Sequence, residues 1–499
     1  YKSDFPAQYG GRLSSVLDVQ MREGNLKEFG GQGGIGLIAS RFTVEGPLQK
    51  NRSSFILSGR RTYLDLFEPI INKQLPEDSQ MPDYFFYDLN AKMNYIINDK
   101  NRIYVSGYFG QDKLAFTFDP DAENSSTYDL QWGNMTGTLR WNRIINASLF
   151  SNTSFVVSRF RYNDRFNFGD FFEFKSASKT YTLSLKQDFD YYLNNKHHLK
   201  FGANYTHHII QPVNFSAGTT TTDTLLQAAT FGEKQEYLGE EMAVYVQDDW
   251  KINSRFSVKT GLRYSAFLTA GNKYLHALEP RLAANYQINS QTAIKASYAR
   301  MAQYLHQVKY SYLSFLDPWF PSNQYMRPQL SDQVSVGFSR LIFDNNISIN
   351  NEYYYKWLQN QLEYKNGAAF LFTDENYHER LTEGKGWGYG TEIQIEKPKG
   401  RLTGWLAYTL SWSYRKFDDL NNGEAFPFTY DRRHLFNAVV QYQLPRNWSF
   451  SANWVYRTGV AFDLPSARFF VFGLNYVEPD IVPIYGEQNA FRMPAYHRL

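Results

Sequence analysis

Phe256-Ser257-Val258-Lys259-Thr260-Gly261-Leu262-Arg263-Tyr264-Ser265-Ala266 is the stretch that decides the fold. A β-strand throws successive side chains to opposite faces, so Phe256, Val258, Thr260, Leu262, Tyr264 and Ala266 share one face while Ser257, Lys259, Gly261, Arg263 and Ser265 share the other. One face is apolar and the other polar. The same period-two pattern recurs at residues 87–95, 199–206, 406–414 and 448–457. Short polar turns pair such strands at 49–51, 98–101, 145–146, 193–196, 251–254, 289–290, 344–346, 397–400 and 445–447, each carrying the Asn, Asp, Gly, Pro or Ser that favour hairpins.

The far ends of these hairpins run into longer connections, among them 63–82, 211–234, 303–330 and 359–386. Short turns on one side, long loops on the other and alternating strands are the pattern of an outer-membrane barrel, and nine turns predict about 18 strands. In lipid every backbone polar group must be paired internally, so a sheet spans only if it closes on itself. Tyr95, Trp141, Trp250, Trp357 and Trp454 near strand ends suit interfacial girdles. A propeller or solenoid would carry a repeated blade motif, and none is visible.

Composition narrows the classes. Aromatic residues are 18% of the 499, yet the mean hydropathy is negative, and no run approaches the ~18 apolar residues of a membrane helix. Such a chain displays aromatics on one surface and polar groups on another, unlike a compact soluble enzyme. With 52 basic and 49 acidic residues the net charge is +3, which excludes a nucleic-acid footprint. Cysteine is absent, so disulfide and thiolate-metal chemistry is excluded. The first ten residues lack the basic and apolar regions of a signal peptide, and the chain is expected to be an internal fragment, incomplete at its C-terminal end.

Residues 5–25, beginning Phe5-Pro6-Ala7-Gln8-Tyr9-Gly10-Gly11-Arg12 and ending Gly24-Asn25, read as a Tyr-Gly-Gly turn, a strand and an exit. This segment resembles the plug-to-barrel junction of TonB-dependent outer-membrane receptors, especially those of Bacteroidetes-type bacteria. The likeness continues through residues 36–48, which look like that family's first barrel strand. It extends to Tyr245-Val246-Gln247-Asp248-Asp249-Trp250, Glu279-Pro280-Arg281-Leu282, Tyr430-Asp431-Arg432-Arg433-His434 and Met493-Pro494-Ala495-Tyr496. The resemblance implies an all-β transmembrane antiparallel barrel, of about 22 strands in the family and about 18 in this fragment, with residues 1–30 ending the plug and 31–499 forming a barrel incomplete at its C-terminus. It also implies import of a scarce nutrient (a siderophore or other metal chelate, cobalamin or an oligosaccharide) across the bacterial outer membrane. Its partners would be the TonB-ExbB-ExbD complex, acting through the missing N-terminal region, outer-membrane lipid, the small-molecule or glycan ligand, and a surface lipoprotein. Tyr9, Gly10, Gly11 and Arg12 are the expected plug junction. A passive porin or adhesin barrel is the alternative.

Enzymatic chemistry finds little support. His306, Ser311 and His378-Glu379 sit in long loops without nucleophile-elbow or metal-ligand spacing. The pairs Asp248-Asp249 and Asp418-Asp419 diverge to opposite faces if in strands, so neither can share a proton. The doublets His197-His198 and His207-His208 diverge likewise and offer one metal ligand per face at most. No catalytic, cofactor-binding or metal-binding residue is therefore expected. Ligand contacts are sought in the long loop carrying Tyr310, Tyr312, Phe315, Trp319, Phe320, Tyr325 and Arg327, because aromatics stack on sugars or planar chelators and Arg supplies charge. The bland reading is that these residues pack the loop on its neighbours. Lumen-facing Arg140, Lys200, Arg263 and Lys295 either line an anion path or pair with acidic plug groups.

Overall fold

The computed structural model describes residues 1–76, 81–118, 125–169, 172–219, 235–269, 271, 273–309, 317–344, 346–366, 368, 377–472 and 479–499. One sheet of 21 strands dominates it. All nine sequence-predicted turns join sequential antiparallel strands: Ala39–Gln49 to Ser53–Thr62, Asp83–Asn98 to Asn101–Phe118, Ser126–Ile144 to Leu149–Phe168, Phe172–Tyr192 to His197–Thr219, Tyr237–Lys251 to Phe256–Thr269, Tyr274–Asn289 to Thr292–Gln303, Gln329–Ile342 to Ile347–Tyr364, Leu381–Lys397 to Leu402–Lys416, and His434–Gln443 to Ser449–Arg457. Five of the turns share a local cause. Asn98, Asn146, Asn194, Asn253 and Asn289 each accept a backbone N–H two residues on through Oδ1, at 2.8–3.0 Å. That is the Asx-turn geometry for which Asn is suited.

Three expectations are corrected. The sheet begins with Gly30–Ile35 rather than with residues 36–48, because glycines here let the chain run extended beside Ala39–Gln49 before a tight turn at 36–38. With Phe426–Pro427 and Tyr496–Arg498 this strand takes the count past the 18 expected. Strands also outrun the membrane: His197–Thr219 has 23 residues, whereas about 10 suffice to span. Third, residues 12–25 carry no strand ladder, being held by a reciprocal backbone pair between Val16 and Tyr1 and by isolated bonds from wall side chains.

Side-chain alternation orients the sheet. Val105, Leu139, Phe155, Leu185, Tyr205 and Met242 follow one another as cross-strand partners and are all exposed on the outer face. Opposite them, Ser154, Ser184, Thr206, Gln247 and Ser265 are buried within. The sheet wraps around the N-terminal segment. Gln333 reaches the Lys2 carbonyl at 3.0 Å, Arg263 that of Gln8 at 3.3 Å, Lys356 that of Leu13 at 3.2 Å and Lys92 that of Met21 at 2.9 Å. Strands so far apart in the sheet meet one short segment only if the sheet curls round it. Girdle positions Trp141, Trp250, Trp357 and Trp454 are all exposed, as lipid-facing rings must be. No helix among the described residues is long and apolar enough to cross a membrane.

Candidate functional site

The N-terminal segment rises inside the barrel from Ser3 to Arg12, and polar wall side chains grip its backbone. Lys259 pairs with Asp4 at 2.8 Å, Arg281 donates to the Pro6 carbonyl, and Gln247 Oε1 accepts the Ala7 N–H at 2.8 Å. Arg263 donates to the Gln8 carbonyl at 3.3 Å and to Asn204 Oδ1 at 3.0 Å. Between the two arginines lies Glu279, fully buried, at 3.2 Å from Arg281 and 3.7 Å from Arg263, accepting from Ser265 Oγ at 2.7 Å. Glu241, 3.6 Å from His208, closes the cluster beneath Gly11. Glu279 thus lies between two guanidiniums while Glu241 faces His208, Arg263 and Arg12, so each buried charge has an opposite charge beside it, which is the condition for burying charge.

Glycine is needed at the crest. Gly11 has φ +74 and sits 3.0 Å, at its absent Cβ, from Glu241 Oε1, while a Cβ on Gly10 would overlap the Arg263 guanidinium. The chain turns there and descends past Leu13, Met21 and Gly24, the last accepting from Ser54 Oγ at 2.7 Å. Phe5 anchors the ascending limb against Ala299 and Met301.

Above the crest the long-loop rim folds inward. Leu305–Gln307 pairs with Trp319–Pro321, and this small ribbon puts Trp319 over the Arg12 guanidinium, 5.3 Å from its ring centroid. Phe320 is buried and stacks on Tyr377 at 4.4 Å, with Tyr237 meeting Tyr377 edge-on at 5.2 Å. Tyr325 is 60% exposed and lies flat on His378, centroids 4.0 Å apart. Arg327 forks onto Glu383 at 3.1–3.2 Å. His306 is wholly buried with Nε2 2.7 Å from Ser322 Oγ, and desolvation pushes its imidazole down to about 4.

The structure therefore brings together two groups that the sequence named separately, the junction Tyr9-Gly10-Gly11-Arg12 and the loop aromatics, through Arg12 and Trp319. Tyr9 packs on Tyr1 with tilted rings, centroids 5.7 Å apart, away from that contact. Phe320 packs the loop, Trp319 is half-buried between Arg12 and the Phe267-Tyr304 cluster, and Tyr325 presents ring surface. Tyr310, Tyr312, Phe315 and Ser311 lie outside the described residues. Arg263 answers neither of its two readings: its acid is Glu279 of the wall, and on the N-terminal segment it binds a carbonyl. The histidine doublets diverge as alternation requires. His197 stacks on Trp250 and meets Asp248 outside, while His198 meets Asp190 at 3.1 Å inside. Among the described residues no cluster of His, Cys, Asp or Glu could hold a metal ion. Glu279, Arg281, Glu241 and Gln247 were missed as a working set, although alternation alone puts Glu279 and Arg281 on the face opposite lipid-facing Leu278 and Leu282.

A family described as TonB dependent receptor-like, beta-barrel, matches residues 52–499. No curated protein matches the chain. Among solved structures, the ferric-catecholate import receptor Fiu of E. coli K12 is similar with a TM-score of 0.63 at 12% identity, covering 95% of this chain and 75% of that one. The FrpB iron transporter of Neisseria meningitidis is similar at 0.62 and 12% identity, covering 92% and 70%. The pyoverdine outer membrane receptor FpvA of Pseudomonas aeruginosa scores 0.62 at 12% identity, covering 94% and 71%.

Proposed function

Because the chain belongs to the TonB-dependent receptor family, whose barrels reside in the Gram-negative outer membrane and act as receptors and transporters rather than enzymes, we propose that it imports a scarce small nutrient by displacement of a plug coupled to TonB, ExbB and ExbD. On this reading residues 1–30 close the plug and 31–499 form the barrel. The observation that carries it is the grip of Lys259, Gln247, Arg263 and Arg281 on residues 4–8. Hydrogen bonds of this kind contribute about 1 kcal/mol each, so the set resists spontaneous opening and yields to applied work. A passive porin would have no use for a segment latched across its lumen.

For the ligand we favour a metal chelate over an oligosaccharide, cobalamin or a peptide. Arg12 under Trp319, with Tyr325 and His378 at the rim, offers stacking surfaces and a positive charge that suit a planar anionic chelate. A surface lipoprotein would accompany a glycan ligand instead. The test is growth of a deletion strain on ferric chelates as sole iron source, complemented with the full-length gene, with and without TonB. Growth that depends on both supports the proposal. Uptake that persists without TonB overturns it in favour of a passive barrel, and growth only on oligosaccharides overturns the chelate assignment.

A further inference from the structure

On the outer face of the barrel, Arg159, Arg161 and Lys179 stand side by side. Their orientation follows from register. Phe155 partners Leu139 and Leu185, and Val157 partners Gly137 and Leu183, an apolar band in which Leu139, Phe155 and Leu185 are 45–51% exposed. Arg159, between Met135 and Tyr181, and Arg161, between Gly133 and Lys179, continue that same face. Inward neighbours confirm the alternation, since Tyr162 and Ser178 are buried on the lumen side.

Height above the short-turn rim places these cations. From Leu149 to Arg159 the strand advances ten residues, which at about 3.3 Å each and a tilt of about 45° is roughly 23 Å of membrane thickness. That is about the height of the apolar band of an outer-membrane barrel. Arg159 thus marks where lipid tails give way to headgroups on the long-loop side.

The three cations are short of partners. Farther out, Arg165 and Lys175 share Glu173, and Lys113 sits between Asp83 at 3.1 Å and Asp129 at 3.6 Å. Among the described residues no acid pairs with Arg159, Arg161 or Lys179. Arg161 reaches only the neutral Gln111 amide oxygen, at 3.5 Å. Arg159 Nε is buried with no hydrogen-bond acceptor. Arg161 and Lys179 are direct cross-strand partners, a like-charge juxtaposition that destabilises a sheet unless an anion lies between.

We propose that Arg159, Arg161 and Lys179 bind the phosphate of a lipid headgroup in the outer leaflet. A phosphate offers the accessible part of the Arg159 guanidinium an anionic partner, bridges the opposed Arg161 and Lys179, and arrives already at this depth because the lipid's acyl chains cover the apolar band below. Guanidinium forks suit phosphate oxygens, and the lipid-facing position excludes a soluble ligand from the lumen.

The test uses full-length receptor in detergent, with retention of bisphosphorylated lipid A, its dephosphorylated form and inorganic phosphate compared by native mass spectrometry. Each cation near an anionic headgroup is worth about fivefold in affinity. The triple variant R159Q/R161Q/K179Q is therefore expected to weaken bisphosphorylated lipid A by more than tenfold, while lumen-facing K186Q leaves it unchanged. Heat-modifiable migration verifies folding, and if the triple variant fails it, R161Q alone is expected to show about a fivefold loss. Equal retention of the dephosphorylated lipid, or unchanged binding in a folded variant, overturns the proposal. Full competition by millimolar inorganic phosphate overturns the lipid assignment in favour of a free-anion site.

Discussion

Glu279→Gln isolates the electrostatic part of the latch. The substitution preserves shape and an acceptor for Ser265, but removes the counter-charge of Arg263 and Arg281, both almost fully buried. Removing one side of a buried charge network costs about 3–5 kcal/mol, because the remaining charges stay desolvated and here also repel one another. The barrel ladders are untouched. The cost falls instead on the contacts those guanidiniums make with Pro6 and Gln8. Taking the lower bound, about 3 kcal/mol is roughly a 150-fold rise in the population released from the wall. Hydrogen exchange at the Ala7 amide reads this directly, since its N–H is held by Gln247 at 2.8 Å. The full-length receptor is expected to exchange at Ala7 about two orders of magnitude faster in the variant, with strand amides unchanged. Lys259→Gln, which breaks a largely exposed pair with Asp4, should shift the same amide by under about 1 kcal/mol. Exchange in Glu279→Gln within threefold of the parent would show that Glu279 does not hold the segment, and the reasoning would fail.

Gly11→Ala forces a Cβ into left-handed backbone beside Glu241 and should loosen the crest by about 1 kcal/mol or more, read as faster exchange at residues 9–12; unchanged protection would refute the strain argument. Trp319→Ala removes the ring over Arg12 and should cost about 0.5–2 kcal/mol in ligand affinity by titration calorimetry if the two form one surface. Affinity equal to the parent's would separate them. His306 is held neutral, its value depressed from 6.5 to about 4, so its contribution is complete above about pH 6.5 and is lost as pH falls toward 4. The loss amounts to about 3 kcal/mol. Limited proteolysis of residues 304–322 should therefore quicken on acidification, and His306→Gln should flatten that profile; the same acid sensitivity in the variant would assign it to another group. Asn253→Ala deletes two turn bonds, to Arg255 and Phe256, and should lower unfolding stability by about 1 kcal/mol.

Most of the sheet was legible in the sequence because its signal is local. Period-two alternation sets which face each residue takes, and the Asn side chains that close five of the turns act within three residues. Strand lengths were less legible. Beyond the membrane the outer face of strands such as His197–Thr219 no longer meets lipid, and the inner face packs apolar residues such as Ile210, Val213 and Phe215, so the apolar-out, polar-in alternation that marks a spanning segment fades. Gly30–Ile35 was missed for a related reason: four of its six residues are glycine and carry no side chain to alternate. Loop aromatics were recognised as a group, but their division was not, since Phe320 packs on Tyr377 while Tyr325 presents its ring, and both have the same composition.

By itself, then, the sequence determined the class of this protein: an antiparallel barrel, its lipid-facing and lumen-facing residues, and its asymmetric rims. Those follow from neighbours in the chain and from the solvent each face must meet. Only the tertiary structure decided which charges work together. Glu279 lies 16 residues from Arg263 in sequence, and Arg12 over 300 from Trp319. Their contact depends on the curl of the sheet and on the path of the N-terminal segment, quantities set by the curvature of the whole sheet and by no local pattern.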